Sequence, residues 1–385
     1  MKKTIYYFAS YDTLNSKVRR RYTLAATTKI DYIISVLNQI GYDVKLISAS
    51  YILEKRYVFD RGVTKKLNDK TSLILSPSFG SKTLIGKYLG IIFTSFCFFL
   101  KLLSLNKDDT LFVYHAPWYY FPIKLAKKIK GFRLILEVEE IYTLAFERDN
   151  RKLKTEMKMI SLGDAYIYVS DLLKGYIKEY IYIDDKKSAV CYGPCKVIDT
   201  IHERIFTDER IHLVYAGSLS KYKGCAQNAV QVAGFLPENY VIHILGFGEK
   251  NVVSDLVESI ENINKTSQCK VYYEGIKPEK EYEVFMNSCD IGLNLQRQGT
   301  MQAAFPSKVL VYLSMGLNVV SSELESVVNS KVKDIVAFYS QENPQAMAET
   351  IKNARCFTKE ELKEKIQILN DEFIKNIDSL IENKE

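Results

Sequence analysis

Apolar residues along the chain fall into short runs separated by longer stretches with helical spacing. Residues 4–8 (TIYYF) form one run. Residues 22–40 then repeat apolar side chains every three or four positions as far as Gly41, and residues 44–47 form a second run. Short apolar runs bounded by turn residues predict buried strands, and the 3.6-residue spacing predicts helices between them. The same pattern gives strands at 73–75, 111–114, 133–138 and 166–169. It also gives a strongly apolar helix around 84–105 and a charged helix at about 147–162. Strands alternating with helices predict a parallel sheet wrapped by helices.

The pattern breaks at 193–208, where Gly-Pro-Cys leads into polar residues, and then restarts. Strands are expected at 211–216, 241–245, 270–273, 291–295 and 318–320, with helices at 279–288 and 307–315 and a charged helix over 359–381. No repeat of 20–50 residues and no low-complexity tract interrupts this order. The expected fold class is α/β, with two doubly wound Rossmann-like domains facing a central cleft. The expected boundaries are 1–200 and 201–357, with residues 358–385 as a C-terminal helix packing back on the first domain. The carboxyl ends of both sets of strands would open on the cleft, where ligands of such sheets bind.

A length of 385 residues gives room for two ordinary cores, and 47% apolar with 12% aromatic residues describes a folded protein. No stretch reaches the roughly 18 uninterrupted apolar residues of a spanning helix; the nearest is 88–100, between Lys87 and Lys101. The N-terminal residues run straight into a strand pattern without an apolar leader, which predicts a cytoplasmic protein. The seven cysteines are scattered, and Cys191 and Cys195 have no second pair nearby to complete a zinc site, so reduced, buried thiols are expected.

The net charge of +7 is unevenly divided. Residues 1–200 hold 33 Lys+Arg against 20 Asp+Glu, or +13; the remainder holds 20 against 26, or −6. A basic first half suggests an anionic partner. No recognition motif supports nucleic acid. An anionic membrane face fits better, because the same half carries the most apolar helix.

The candidate chemistry lies mostly in the second half. VYAGSLSKYKG (214–224) occupies the first strand-to-helix turn, where Gly217 and Ser218 allow close backbone approach and Lys223 can reach a phosphate. HILGFGEK (243–250) places Gly246 in a second glycine turn, without the third glycine of a dinucleotide fingerprint. FPSK (305–308) opens a helix, so Phe305, Ser307 and Lys308 bring backbone N–H groups and one ammonium to a point suited to a diphosphate. In the first half, His115 follows one strand, and Glu139 and Glu140 follow another. Period-two alternation turns Glu137 and Glu139 the same way, which favours Glu140 as an acid/base group. Arg19, Arg20 and Arg21 form a basic loop before the first helix, available to a phosphate or equally to solvent. The pairs Asp108–Asp109 and Asp184–Asp185 read as turn residues rather than a metal site.

Taken in order, the two glycine turns, YYEGIKPEKEYEVFMNSCDIGLNLQ (272–296) and FPSK resemble the C-terminal domain of GT-B glycosyltransferases, particularly family 4 and its capsule or polysaccharide enzymes. The resemblance covers about 211–322 well and the first domain loosely. It implies a retaining glycosyltransferase that takes a nucleotide-sugar donor, such as a UDP-sugar, without a metal or other cofactor. Its acceptor would be a lipid-linked saccharide or oligosaccharide at the inner face of the membrane. It also implies that Lys223 and Lys308 neutralise the departing diphosphate, with backbone help from Gly217, Ser218 and Ser307. The chain departs from the family pattern at Ser218, where an arginine is usual, and at Ala303 and Val311, where paired glutamates are usual. Gln298, Gln302, Glu323 or Glu325 are the nearby substitutes for the ribose contact. Two alternatives stay open: a non-catalytic relative that binds or scaffolds, and a nucleotide-sugar epimerase.

Overall fold

Among the described residues, the first part of the chain is built from β1 (Thr4–Ala9), α1 (Leu24–Gln39), β2 (Asp43–Ser48), β3 (Val58–Asp60), β4 (Val63–Lys66), β5 (Thr71–Leu75), β6 (Ser78–Gly80), α2 (Leu84–Leu102), β7 (Thr110–Tyr114), α3 (Tyr120–Lys130), β8 (Arg133–Val138), α4 (Asn150–Ile160), β9 (Ala165–Tyr168), α5 (Asp171–Lys178) and β10 (Ser188–Val190). These come from a computed structural model that describes residues 3–13, 16, 18–143, 150–183, 185–198, 203–219, 224–297, 303–340 and 342–382, and only the backbone of Leu24, Ala25 and Asn150. The chain divides into two units, 1–194 with 372–385, and 195–371.

In the first unit eight strands form one sheet in the order β10-β9-β8-β7-β1-β2-β5-β4. All neighbours run parallel except β4 against β5. The inner strands are buried along nearly their whole length, as in Leu134–Val138, because helices cover both faces. Strand order reverses between β1 and β7, which creates a crevice at their carboxyl ends. β3 and β6 make a separate antiparallel pair.

The second unit contains β11 (Ile211–Ser218), α6 (Cys225–Val232), β12 (Tyr240–Phe247), α7 (Lys250–Thr266), β13 (Lys270–Gly275), α8 (Glu279–Asn287), β14 (Ile291–Asn294), α9 (Ser307–Ser314), β15 (Asn318–Ser322), α10 (Glu325–Val328), β16 (Val336–Tyr339) and α11 (Pro344–Asn353). Its six strands are all parallel, in the order β13-β12-β11-β14-β15-β16, with the reversal between β11 and β14. Leu213, Ile242, Ile244 and Leu293 from the sheet pack with Ala229, Leu256 and Ile351 from helices. The second glycine turn does open a well-defined helix: Val252, Leu256 and Ile260 recur every fourth residue along α7 and are buried. The last helix, α12 (Lys359–Ile381), ends among first-unit residues. There Phe373 stacks on Tyr32 at 5.6 Å and Arg133 donates to the Ile381 carbonyl.

Candidate functional site

Three segments of the second unit meet at the carboxyl end of β11, beside the strand reversal. β11 and β12 run so close at their ends that a Cβ on Gly246 would lie 1.9 Å from the Gly217 carbonyl oxygen, so only glycine fits there. Both turns are pinned by phenols. Tyr215 donates to the Ser218 carbonyl at 2.8 Å, and Tyr273 donates to the Gly246 carbonyl at 3.0 Å. The Leu219 N–H donates to the Phe247 carbonyl at 2.8 Å and ties the two turns together.

α9 supplies the charge. Its N-cap is Pro306, whose side chain makes no cap hydrogen bond, and the Val309 N–H donates to the Pro306 carbonyl at 3.0 Å, so the positive end of the helix dipole lies at 307–308. Phe305 is buried just before it, and Ser326 holds the Ala304 carbonyl at 2.9 Å, which fixes the approach to the helix. Ser307 is exposed and Lys308 half-buried. The Lys308 ammonium lies 3.1 Å from where a Cβ on Gly217 would stand and 4.0 Å from the centre of the Tyr215 ring. The cation thus lies over the glycine turn against an aromatic face, which orients it.

α9 is seated by Tyr312, whose ring occupies the space a Cβ on Gly292 would take, 2.3 Å away. Its hydroxyl accepts the Ala216 N–H at 2.9 Å. The helix carrying Lys308 is therefore bonded directly to the strand carrying Gly217. Gly246, Gly217, Ser218, Phe305, Ser307 and Lys308, drawn from three separate stretches of sequence, come together on one edge of one unit. Lys223, Gln298 and Gln302 lie outside the described residues.

Arg297 adds a cation that the sequence did not single out. It is exposed, just beyond β14, and its guanidinium group lies 2.8 Å from where a Cβ on Gly224 would stand. Gly224 has φ +68° and caps α6. The only hint in the sequence was a basic residue shortly after a strand, which many loops share. Val311 stands one turn after Lys308 on α9 and is half-buried, so no carboxylate occupies that position. Glu323 follows β15 and Glu325 opens α10; both are exposed.

In the first unit the sequence candidates divide. Glu137 and Glu139 do face one way, and Lys29 of α1 reaches both. It contacts the Glu139 carboxylate, lies 4.0 Å from Glu137 and donates to the Cys191 carbonyl at 2.7 Å. Tyr7 donates to Glu137. Burial, aided by the nearby Glu139 charge, pushes the Glu137 carboxyl up to about 8. Burial alone would lower Lys29, but Glu139, Cys191 and Glu137 outweigh it and hold the ammonium above its ordinary value. Glu139 is thus committed to a partly buried ion pair, and Glu140 beside it is half-buried.

Two expectations are corrected. His115 follows β7 as predicted, but it is fully buried, 3.7 Å from Glu156 and stacked on Tyr142 at 5.6 Å. Burial pushes it down to about 3, which favours the neutral imidazole and makes it a poor proton donor. Arg20 is also fully buried. It donates to the Ser50 and Ser76 carbonyls at 2.7 and 2.9 Å and pairs with Asp60 at 3.0 Å. It is an internal strut and not a phosphate ligand. Arg19 and Arg21 beside it are exposed; Arg21 donates to the Tyr51 hydroxyl at 2.7 Å and lies over the Trp118 ring. Among the described residues, no group of three His, Cys, Asp or Glu side chains could hold a metal ion.

The fold with these two sheets is the GT-B class of paired Rossmann-like domains. No protein-family model matches the chain, and no curated protein matches it in sequence. Solved structures do. A sucrose-phosphate synthase from Thermosynechococcus elongatus superposes with a TM-score of 0.72 at 13% identity, covering 98% of each chain. An α,α-trehalose-phosphate synthase (UDP-forming) from Burkholderia vietnamiensis gives 0.68 at 11% identity, covering 99% of each. Anabaena Alr3699/HepE in complex with UDP gives 0.61 at 12% identity, covering 98% of this chain and 97% of that one. At these identities the likeness is one of fold.

Proposed function

We propose that the protein is a glycosyltransferase that moves a sugar from a nucleotide-sugar donor to a lipid-linked saccharide in the making of a cell-surface polysaccharide, at the cytoplasmic face of the membrane. One observation carries this reading: Lys308, in the first turn of α9, sets its ammonium over the Gly217 turn at the strand reversal. That geometry suits a diphosphate, and the structurally similar proteins include one described as UDP-forming and one bound to UDP.

The chemistry follows from the charge. As the bond between the sugar's anomeric carbon and the donor phosphate breaks, negative charge grows on the departing oxygen. An ammonium and oriented N–H groups stabilise that charge more than they stabilise the intact donor, which lowers the barrier. Lys308 and Ser307 do this, with Lys223 as a second cation by family resemblance and Phe305 and Gly246 shaping the pocket. The acceptor hydroxyl attacks the anomeric carbon, and its proton passes to the departing phosphate on retention or to the Glu140 carboxylate. Glu139 helps hold that region through Lys29. Arg19 and Arg21 are the exposed cations for an acceptor phosphate.

The test is nucleotide release from a panel of UDP-sugars. Wild type should release UDP from at least one donor, and Lys308→Ala should slow this by about 10²–10³-fold, the cost of removing one charge-stabilising donor. Val311 in place of a carboxylate favours a second reading, a non-catalytic nucleotide binder. Wild type that binds UDP without turning over any donor would establish that reading.

A further inference from the structure

α2 is apolar on both sides. Its inward row, Gly90, Thr94, Phe98 and Leu102, repeats every fourth residue and is buried; Phe98 stacks on Phe8 of β1 at 3.8 Å. Two positions away, or about 200° around the helix, runs a second row: Leu84, Tyr88, Ile92, Phe96 and Leu100. Every member is between 50% and 70% exposed. A helix covering a sheet normally turns polar residues outward. Here the outward face is as greasy as the inward one.

The surface continues beyond α2. On the adjoining α3, Phe121, Leu125 and Ile129 repeat every fourth residue and are exposed as well. Tyr57 and Phe59, at β3, extend it on the other side, where Phe59 and Phe79 lean on Phe93 of α2. Two helices and a strand pair thus present one contiguous apolar face, far more than the isolated exposed apolar residues of an ordinary surface.

Its charge selects the partner. From residue 82 to 136 the basic residues are Lys82, Lys87, Lys101, Lys107, Lys124, Lys127, Lys128, Lys130 and Arg133, and the acidic ones are Asp108 and Asp109 alone. Exposed lysines flank both ends of α2 and alternate with the apolar row along α3, as at Lys124 and Lys128. A second copy of the chain would set these lysines against their own counterparts. A lipid surface with anionic headgroups takes the apolar rows between its acyl chains and the lysines at its phosphates.

We propose that this composite face of α2, α3 and the β3–β6 pair docks the protein in the plane of an anionic bilayer. By length and overall composition alone α2 would suffice to cross a membrane, although Lys87 and Lys101 interrupt its apolar run. Its inward row, however, is bonded into the layer that covers the sheet, so it lies along the interface. The proposal deepens the transferase reading and rests on it only for the membrane-borne acceptor; the surface itself is argued from its own residues.

Vesicle flotation tests it, with Trp118 as a built-in reporter. This is the only tryptophan, it is exposed, and it lies just before α3. The full chain should float with vesicles containing about a third phosphatidylglycerol and far less with pure phosphatidylcholine, and salt should weaken it. Trp118 emission should shift to the blue and be quenched by brominated acyl chains. Ile92→Gln with Phe96→Gln should cut binding by roughly tenfold or more, and Lys124→Ala or Lys128→Ala by roughly fivefold each on anionic vesicles only. UDP binding by these variants, read by thermal shift, shows that they are folded and tests the donor site separately. Wild type that ignores both vesicle types, or that forms a dimer broken by the Ile92/Phe96 pair, overturns the proposal. So do variants that bind vesicles like wild type. Vesicle binding without UDP binding would leave the docking face standing and remove the transferase reading.

Discussion

Two buried ionisable side chains in the first unit pull its stability in opposite directions with pH. Glu137 binds its proton more tightly folded, at about 8, than a free carboxyl does at about 4.5. Its contribution is therefore complete below about 4.5 and fades as pH rises through 8. His115, lowered to about 3 from 6.5, contributes fully above 6.5 and loses that contribution as pH falls toward 3. Between 6.5 and 8 the His115 contribution is constant, so the Glu137 effect stands alone. We expect Glu137→Gln to flatten the fall in unfolding free energy across that window, by up to about 1.4 kcal/mol per pH unit. Parallel denaturation profiles for wild type and Glu137→Gln would refute the assignment. At this scale the sequence was partly legible. Alternation placed Glu137 and Glu139 on one side, but nothing local marked Lys29, 108 residues before Glu137, as their shared partner. Arg20 misled for a physical reason: three consecutive arginines look solvated until a distant carboxylate, Asp60, draws one of them inside.

The decisive element is α9. Its seat depends on Tyr312, which bridges to Ala216 of β11 and fills the space left by Gly292. Tyr312→Phe keeps the ring but leaves the Ala216 N–H buried without its partner, a loss of about 1–3 kcal/mol. The expected result is a melting temperature lower by several degrees, together with weaker UDP binding, because Lys308 rides on the same helix. Unchanged stability and affinity would show that α9 is held by packing alone. The elements of the site were legible because each begins with punctuation: a strand followed by glycine, or an aromatic-Pro-Ser start to a helix. Less visible were β10 and β16, three- and four-residue strands too short to show a period. So was α7, whose apolar positions are spaced widely among charges. The apolar character of α2 was plain from composition. That one of its two apolar faces is left exposed required the fold.

Across the whole molecule, each unit builds a largely parallel sheet with one strand reversal, and the proposed donor site lies at the reversal in the second. The charge is divided between the halves, basic in residues 1–200 and acidic in the remainder, so the proposed donor site lies in the half that is negative overall. If the donor diphosphate binds as proposed, Lys308 and the start of α9 supply its positive charge within that negative half. Hydrogen exchange with and without saturating UDP tests this most directly. Exchange should slow at 214–219, 246–248 and 305–309, and that protection should be lost in Lys308→Ala. UDP binding that leaves these segments unchanged, or protects the chain elsewhere, would contradict it.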